Sequence, residues 1–317
     1  MSPGPIFDPE GTRPDYWRFA RAMYAAGFRS GDIVHNSFSY HLTPAGAMAE
    51  SGARALGLPV IPGGTGQTEL QLRAIADLRP SAYAGTPSFL LTLLEKARET
   101  GITASSLKKA LVSAEAFPEA TRRRLADEFA VAAVQCYATA DLGLIAYESH
   151  GGEGLIVDEA VIVEIVRPGT GDPVPAGEVG EVVVTVFNPD YPLIRLATGD
   201  LSAVLPGRSP CGRSNMRIRG WLGRADQATK VRGMFVQPRQ LDDVLRRHEA
   251  IARARLVVTQ AHGHDEMRLL CEVAGEPAGL AGRLEETVRS LTGLRATIEL
   301  VAPGSLPNDG RVIDDRR

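Results

Sequence analysis

Two carboxylates and one guanidinium in the central part of the chain have the types and spacing of a nucleotide site. The apolar run 191–199 ends on Asp200, which predicts a strand that delivers one carboxylate to a sharp turn. Such a carboxylate can accept two parallel hydrogen bonds, and the vicinal hydroxyls of a ribose are a natural partner. Downstream, Arg224 and Asp226 lie on a glycine-flanked connection, beyond which the chain changes character. The pattern predicts a nucleotide site beside a hinge, whereas Asp200 read alone also fits a turn former.

Strands and helices in alternation must hold these residues. Short apolar runs at 33–38, 59–61, 82–84, 110–113 and 131–137 alternate with helical patterns near 44–56, 67–78, 87–99 and 118–129, after a first helix at 15–27. This alternation predicts a parallel sheet flanked by helices. Beyond Gly151 the pattern becomes β-rich, and after Arg224 it predicts a compact α+β domain of about ninety residues. The expected fold is α/β, with a large domain at 1–223 and a small α+β domain at 224–317.

Composition excludes several classes of protein. The chain has 317 residues, of which 44% are hydrophobic, and a net charge of −3, which provides no field to hold a nucleic-acid backbone. The three cysteines, Cys136, Cys211 and Cys271, are too few and too scattered for a disulfide framework, and we predict no zinc site. No apolar run is long enough to cross a membrane, and the N-terminus does not resemble a secretion signal. We therefore expect a cytoplasmic protein without nucleic-acid or membrane partners.

Eight short segments in a fixed order give a more specific signal. They are GGTGQTE (63–69), TPSF (86–89), SAEA (113–116), YATAD (137–141), GEVGE (177–181), YPLIRLATGD (191–200), GRAD (223–226) and VRG (231–233). Their order resembles the signature segments of the adenylate-forming enzymes, specifically the phenylacetate-CoA ligase-like branch of the acyl-CoA synthetases. The resemblance runs through nearly the whole chain. It implies a nucleotide- and acyl-binding large domain followed by a mobile C-terminal lid domain.

The same resemblance implies an ATP-dependent acid–thiol ligase. Such enzymes convert a carboxylic acid to an acyl-adenylate and then to a thioester, with ATP, Mg²⁺ and coenzyme A. Charge accumulates on phosphate oxygens in the first step, which requires a metal and fixed donors. Asp200 would hold the ribose hydroxyls, and Arg224 would reach the ribose or a phosphate with a fork that lysine cannot reproduce. Asp141 would bind the metal.

The resemblance also implies roles for other residues, according to their positions in the family pattern. Glu115, Tyr137, Ala138 and Thr139 would flank the nucleotide, and Gly233 would line the thiol channel. Read alone, 113–116 is a strand-to-helix connection and 137–141 a surface loop. The expected catalytic residues are Arg311, Asp226 as the hinge, and His41, whose imidazole could meet the substrate carboxylate.

The expected substrate is a small carboxylic acid, with an aromatic one favoured. Tyr40, His41, Pro44 and Phe89 come from predicted loops at strand ends, and their apolar mixture suits a bulky acid. Core packing explains Tyr40 and Phe89 equally well.

Three departures from the family pattern bear on activity. Asp141 is a methylene shorter than the usual glutamate, and Ala140 stands where a hydroxyl residue is common. Arg311 stands at or next to the position of the adenylation lysine, and it is not a neutral replacement. Residues 1–11 stand where a phosphate loop is expected, but Pro3 and Pro5 remove backbone donors. The large domain is thus expected to be N-terminally incomplete, and the chain to adenylate weakly or not at all and to self-associate.

Two rival functions stay open at the level of sequence. One is a non-catalytic homologue that binds a nucleotide or an acyl group, which the missing lysine favours. The other is an adenylating enzyme that loads a carrier protein in place of free coenzyme A.

Overall fold

The chain forms two compact units. The computed structural model describes residues 6–115, 117–149, 153–167, 170–225, 229–232, 234–236, 238–261, 264–275, 279–307 and 312–317. One unit, termed the sheet unit, comprises residues 8–198 and 202–222. The other, termed the C-terminal unit, comprises residues 199–201 and 223–317, together with Ile6 and Phe7. Within the described residues, no helix combines the length and hydrophobicity that a membrane span requires.

Helices and strands alternate through the first half of the sheet unit, as the sequence predicts. Its elements are α1 Phe19–Ala25, β1 Val34–Asn36, α2 Ala45–Ala55, β2 Val60–Pro62, α3 Thr68–Leu78, β3 Ala82–Gly85, α4 Pro87–Thr100, β4 Lys109–Val112, α5 Glu119–Phe129, β5 Ala132–Thr139, β6 Gly143–Tyr147, β7 Leu155–Val157, β8 Val161–Val166, β9 Val179–Val186, β10 Leu196–Leu205 and β11 Arg217–Ile218. The predicted α/β class is confirmed.

The first five strands are parallel and follow the order β2-β1-β3-β4-β5. Their carboxyl ends therefore lie along one edge of the sheet, where open α/β sheets bind their ligands. Strands β6 to β11 continue the sheet in the order β6-β7-β11-β10-β9-β8. The pairs β5–β6, β6–β7, β7–β11, β10–β11 and β8–β9 are antiparallel. The predicted change from a parallel to a β-rich region is thus observed.

Helices cover both faces of the parallel sheet. Ala82 and Ala84 of β3 belong to a buried cluster with Met48 of α2. Tyr83 points the other way and packs with Leu93 of α4. Because successive side chains of a strand alternate between faces, both faces must be apolar, and such strands read as continuous hydrophobic runs.

Helix α1 begins at Phe19, later than the predicted start at Asp15. Asp15 and Arg18 have φ angles of 50° and 66°, in the left-handed region, so the helical backbone cannot extend through them. The Asp15 carboxylate instead accepts hydrogen bonds from the Ala20 N–H at 3.2 and 3.1 Å. Asp15 therefore binds the N-terminal end of the helix from outside it.

The C-terminal unit is a small α+β structure. Its elements are β12 Gly223–Arg224, β13 Thr229–Val231, β14 Met234–Val236, α6 Pro238–Arg247, β15 Ile251–Ala261, β16 His264–Val273, α7 Leu280–Thr292, β17 Thr297–Val301 and β18 Ile313–Asp315. Four strands pair in the order β17-β16-β15-β18. Val244 of α6 and Val288 of α7 share a buried cluster with Leu256 and Leu269 of the central strands. The sequence does not predict β18, because three residues are too few to show a period.

We predict a pH-dependent contribution of Asp15 to stability. Burial raises the pKa of Asp15 from 3.8 to about 6. The folded protein then binds this proton more tightly than the unfolded chain, so stability should fall as pH rises from about 4 to about 6. In Asp15→Asn, which mimics the protonated form, this loss should be absent. The free energy of unfolding of the variant relative to the parent should rise by up to about 3 kcal/mol across that window.

Urea unfolding at several pH values checks this prediction. Asp77→Asn, at an exposed position of α3, is the matched control. An identical pH profile for the two variants would contradict the role assigned to Asp15.

Candidate active site

A cavity of about 110 Å³ opens at the carboxyl ends of β1, β4 and β5. It is lined by Phe19, Phe38, Thr43, Pro44, Ala45, Met48, Ser113, Ala114, Ala138, Thr139 and Ala140. Phe19, Phe38 and Met48 are buried apolar side chains. Ser113 and Thr139 contribute hydroxyl groups. The fold thus brings together residues 113–114 and 138–140, which belong to two of the segments that the sequence singles out.

The connection after β4 is held in an unusual conformation. Ala114 has a φ of 70°, which is strained for a residue with a Cβ atom. Two side-chain hydrogen bonds fix the residues on either side. Ser113 Oγ donates to the Cys136 carbonyl at 2.8 Å, and Glu115 Oε1 accepts the Ser88 N–H at 2.6 Å. Glu115, predicted to contact the nucleotide, is therefore placed at the N-terminus of α4, where a carboxylate is stabilised by the helix dipole.

The end of β5 presents a tyrosine, a threonine and an acid. Tyr137 donates to Thr198 Oγ1 at 3.3 Å, and Thr198 donates to the Val182 carbonyl at 2.9 Å. Asp141 Oδ1 accepts hydrogen bonds from the Thr139 hydroxyl and, at 2.8 Å, from the Leu142 N–H. The carboxylate is thereby held in the tight turn between β5 and β6. It is half-buried, so its oxygens remain near solvent.

Further negative charge lies beside this turn. Burial and the charge of Asp141 raise the pKa of Asp8. Tyr191 donates to Asp8 Oδ1 at 3.3 Å. Burial is the largest cause that raises the pKa of Tyr191, and the charges of Asp8 and Asp141 raise it further. The local potential favours a cation at Asp141.

A fully satisfied amide fixes the glycine turn between β2 and α3. Gln71 is 3% exposed. Its Oε1 accepts from His35 Nε2 at 2.7 Å and from the Ser37 hydroxyl at 2.9 Å. Its Nε2 donates to the carbonyls of Gly64 at 2.9 Å and Gly66 at 2.6 Å. All four hydrogen-bonding positions of the amide are used, and no motif in the sequence indicates this network.

Gly63 must be glycine because a Cβ atom there would lie 2.7 Å from Gln71 Oε1. The turn 63–66 therefore packs closely on Gln71. The cavity is lined by other segments, so the turn supports the site from outside the lining.

His41 lies on the exposed part of the loop that follows β1. Its N–H donates to Ser39 Oγ at 3.2 Å. From the same loop, Thr43 and Pro44 line the cavity. Phe89 is half-buried and packs against the core beneath α4. The structure thus places Pro44 in the cavity wall and Phe89 against the core.

In the C-terminal unit, Asp200 and Arg224 are direct neighbours on paired strands. Residues 199–201 of β10 run antiparallel to β12, with Asp200 opposite Arg224. The Ala225 N–H donates to the Gly199 carbonyl at 2.6 Å. Asp200 is 8% exposed. The two residues that the sequence groups into one nucleotide site are therefore adjacent in the backbone pairing.

The other predicted site residues are described only in part. Asp226, Gly233 and Arg311 lie outside the described residues. Next to Gly233, Arg232 has a φ of 48°, and its N–H donates to Asp265 Oδ2 at 2.9 Å. Its guanidinium donates to the Asp265 carbonyl at 3.0 and 2.8 Å. Arg232 is therefore bound to Asp265 at the start of β16.

Comparison with known proteins gives the family. A family model described as "AMP-binding enzyme" matches residues 45–186. A phenylacetate-coenzyme A ligase of Thermus thermophilus is 31% identical over 94% of this chain and 74% of its own length. Another from Escherichia coli K12 is 30% identical over 91% of this chain and 69% of its length. The chain belongs to the adenylate-forming enzymes, in the phenylacetate-CoA ligase-like branch.

Solved structures agree with this assignment. A 2-hydroxyisobutyryl-CoA ligase in complex with 2-HIB-AMP and CoA is 26% identical, with a TM-score of 0.74 over 94% of this chain and 69% of that protein. An amide bond synthetase of Marinactinospora thermotolerans, 19% identical with a TM-score of 0.65, shares the fold. The predicted family and fold are confirmed.

We predict that Gln71→Leu destabilises the sheet unit. The substitution leaves the buried donors of His35 and Ser37 without their partner, and each unsatisfied buried polar group costs about 1 to 3 kcal/mol. We expect a loss of at least about 2 kcal/mol in the free energy of unfolding. Arg73→Leu, at an exposed position of the same helix, is the control. Equal midpoints for the two variants in denaturant unfolding would show that the network does not stabilise the turn.

Proposed function

We propose that this protein is an ATP-dependent acyl-CoA ligase that joins a small carboxylic acid to coenzyme A through an acyl-adenylate. The observation that carries the proposal is the cavity at the carboxyl ends of β1, β4 and β5, lined in part by residues 113–114 and 138–140. Membership of the phenylacetate-CoA ligase-like branch supports the reaction class. The 2-hydroxyisobutyryl-CoA ligase related in structure binds an acyl-adenylate and CoA.

The first half-reaction requires groups that stabilise negative charge on phosphate oxygens. The substrate carboxylate attacks the α-phosphate of ATP, pyrophosphate leaves, and negative charge increases on the phosphate oxygens. Mg²⁺ would neutralise that charge when bound, and Asp141 would hold it. Among the described residues, no group of three or more His, Cys, Asp or Glu side chains is arranged to bind a metal. One carboxylate combined with ATP phosphates and water is the coordination typical of Mg²⁺.

Three residues would bind the nucleotide in this proposal. We propose that Asp200 accepts hydrogen bonds from the ribose hydroxyls and that Arg224 contacts the ribose or a phosphate. Tyr137, held by its hydrogen bond to Thr198, would pack against the adenine. The fixed hydroxyl orientation lowers the entropy cost of presenting the ring.

The remaining proposed roles belong to residues of the C-terminal unit and to His41, which would contact the substrate acid. Arg311 would stabilise the charge of the adenylation step, and Asp226 would be the pivot about which residues 224–317 move as a lid. Gly233 would line the channel for the attacking thiol. His41 would approach the substrate carboxylate from the exposed loop.

The cavity indicates a compact acyl group. A cavity of about 150 Å³ lined by apolar side chains holds benzene. The present cavity of about 110 Å³ is smaller and has Phe19, Phe38 and Met48 in its wall. An acid with a short branched chain fits this volume, whereas the aromatic acid that the sequence favours would need the cavity to widen.

The test is ATP-dependent pyrophosphate release with a panel of compact aromatic and branched acids, with and without coenzyme A. We expect acid-dependent release and a CoA thioester. Asp200→Ala should weaken adenylate binding by about 1.5 to 3 kcal/mol, because a charge-assisted pair is lost. Asp172→Ala, at an exposed position of the sheet unit, is the control in calorimetry.

Other outcomes would redirect the proposal. Binding of a preformed adenylate without pyrophosphate release would indicate a non-catalytic homologue. Thioester formation on a carrier protein but not on coenzyme A would indicate a loading enzyme. Unchanged affinity in Asp200→Ala would remove Asp200 from the site.

We predict that Met48 limits the size of the acyl group. Met48→Ala enlarges the cavity, so the kcat/KM ratio of an acid one or two carbons larger to the preferred acid should rise about tenfold, since each methylene contributes about 1 to 3 kcal/mol in such pockets. Met23→Ala is the matched control, because Met23 is buried in the same apolar cluster but is not part of the cavity wall. Equal acid preferences in the two variants would place the acyl group elsewhere.

A further inference from the structure

The lining of the cavity at the carboxyl ends of β1, β4 and β5 has a buried part and an exposed part. Its inner part, termed the buried lining, consists of three apolar side chains that are 3%, 5% and 4% exposed: Phe19, Phe38 and Met48. Its mouth consists of three exposed residues: Thr43, Ala114 and Ala140. Burying an apolar chain is favourable, whereas burying an unpaired carboxylate is costly. The cavity therefore favours an acid whose chain points inward and whose carboxylate lies at the mouth.

A carboxylate at the mouth needs hydrogen-bond donors, because the ionised group can only accept. Of the three mouth residues, Thr43 alone has a side chain that can donate a hydrogen bond. Its hydroxyl has no hydrogen-bond partner among the described residues. The Thr43 proton is thus available to a ligand.

The other two hydroxyl groups of the lining already donate within the protein. Ser113 Oγ donates to the Cys136 carbonyl at 2.8 Å, and the Thr139 hydroxyl donates to the Asp141 carboxylate. A hydroxyl group has one proton, so neither can donate to a carboxylate without giving up this bond. Asp141 also follows the lining residues 138–140 directly, and its charge repels a second carboxylate when no cation lies between them. Donor supply and charge both favour the Thr43 side of the mouth.

We propose that Thr43 is a substrate-binding residue, whose hydroxyl donates a hydrogen bond to the substrate carboxylate while the acyl chain packs against the buried lining. The inference rests on the proposed function, because it concerns the acid that this function activates. His41 belongs to the same loop, but it does not line the cavity. Thr43 is therefore the residue of this loop that contacts the bound acid from the cavity wall.

This placement has a kinetic signature. The carboxylate loses negative charge as it attacks the α-phosphate, so its hydrogen bond to Thr43 is strongest before the reaction. Loss of the hydroxyl should therefore raise the KM of the acid more than it changes kcat. All acids share the carboxylate, so the factor should be the same for each of them. Met48→Ala, in contrast, should change the preference among acids.

The experiment compares Thr43→Val, which replaces the hydroxyl by a methyl group, with Thr43→Ser, which keeps a hydroxyl. An NMR-detected titration with 2-methylpropanoate gives the Kd without turnover, and pyrophosphate release gives the KM of the same acid. In Thr43→Val both constants should rise about tenfold, a factor within the range of hydrogen bonds to charged groups. Thr43→Ser should recover most of the affinity. Thr92→Val is the matched control and should leave both constants unchanged, because Thr92 is an exposed residue of α4 outside the cavity lining.

Several results would overturn the inference. They are equal Kd values of the parent and Thr43→Val for 2-methylpropanoate, no saturable binding of this acid to the parent, and a loss in Thr43→Val that differs between acids. A higher KM in His41→Ala but not in Thr43→Val would likewise assign the carboxylate to His41. If the parent binds the acid through Thr43 and releases no pyrophosphate, the inference stands and the adenylation step of the proposed function fails.

Discussion

The candidate site depends on one constraint, which is that the polar groups of loops leaving a buried parallel sheet must find hydrogen-bond partners without water. Gln71 supplies these partners after β1 and β2. Its amide binds the side chains of His35 and Ser37 at the end of β1 and the carbonyls of Gly64 and Gly66 in the turn after β2. Burial lowers the pKa of His35, so the imidazole is neutral and its Nε2–H donates to Gln71. A neutral ring is required here, because a buried positive charge without a carboxylate would be costly. The turn and the loop are therefore fixed as one piece.

Hydrogen bonds also fix the loop after β4, on the other side of the cavity. After β4 the chain passes through Ala114 at positive φ, and the strain is sustained because Ser113 and Glu115 are anchored to β5 and α4. Strained non-glycine residues persist only where their surroundings over-determine them, and they cluster at functional sites. Ala114 lines the cavity, so the strain is located where a ligand would be received. Preorganised loops of this kind reduce the entropy lost on binding.

Periodicity explains what the sequence could predict. Helices α2 to α5 and the parallel strands follow from apolar spacing and from caps such as Thr86, whose side chain accepts the Phe89 N–H. The pattern of segments singled out 113–116 and 137–141, and residues 113, 114 and 138–140 of these line the cavity. It could not show that Glu115 reaches α4, since that contact joins residues distant in sequence. Nor could it show that Met48 lines the cavity, because an apolar helical residue reads as ordinary core.

The charges around Asp141 connect the N-terminal residues of the sheet unit with the proposed chemistry. The charge of Asp141 raises the pKa of Asp8 and the pKa of Tyr191, because both side chains lie close to it. A nucleotide triphosphate would bring further negative charge to this place, which is unfavourable unless a cation accompanies it. Asp141 alone would attract a cation weakly, but Asp8 strengthens the local field without having to be a ligand. If Asp141 holds Mg²⁺ as proposed, the negative charge of Asp8, which precedes α1, would compensate in part for the shorter reach of aspartate compared with glutamate.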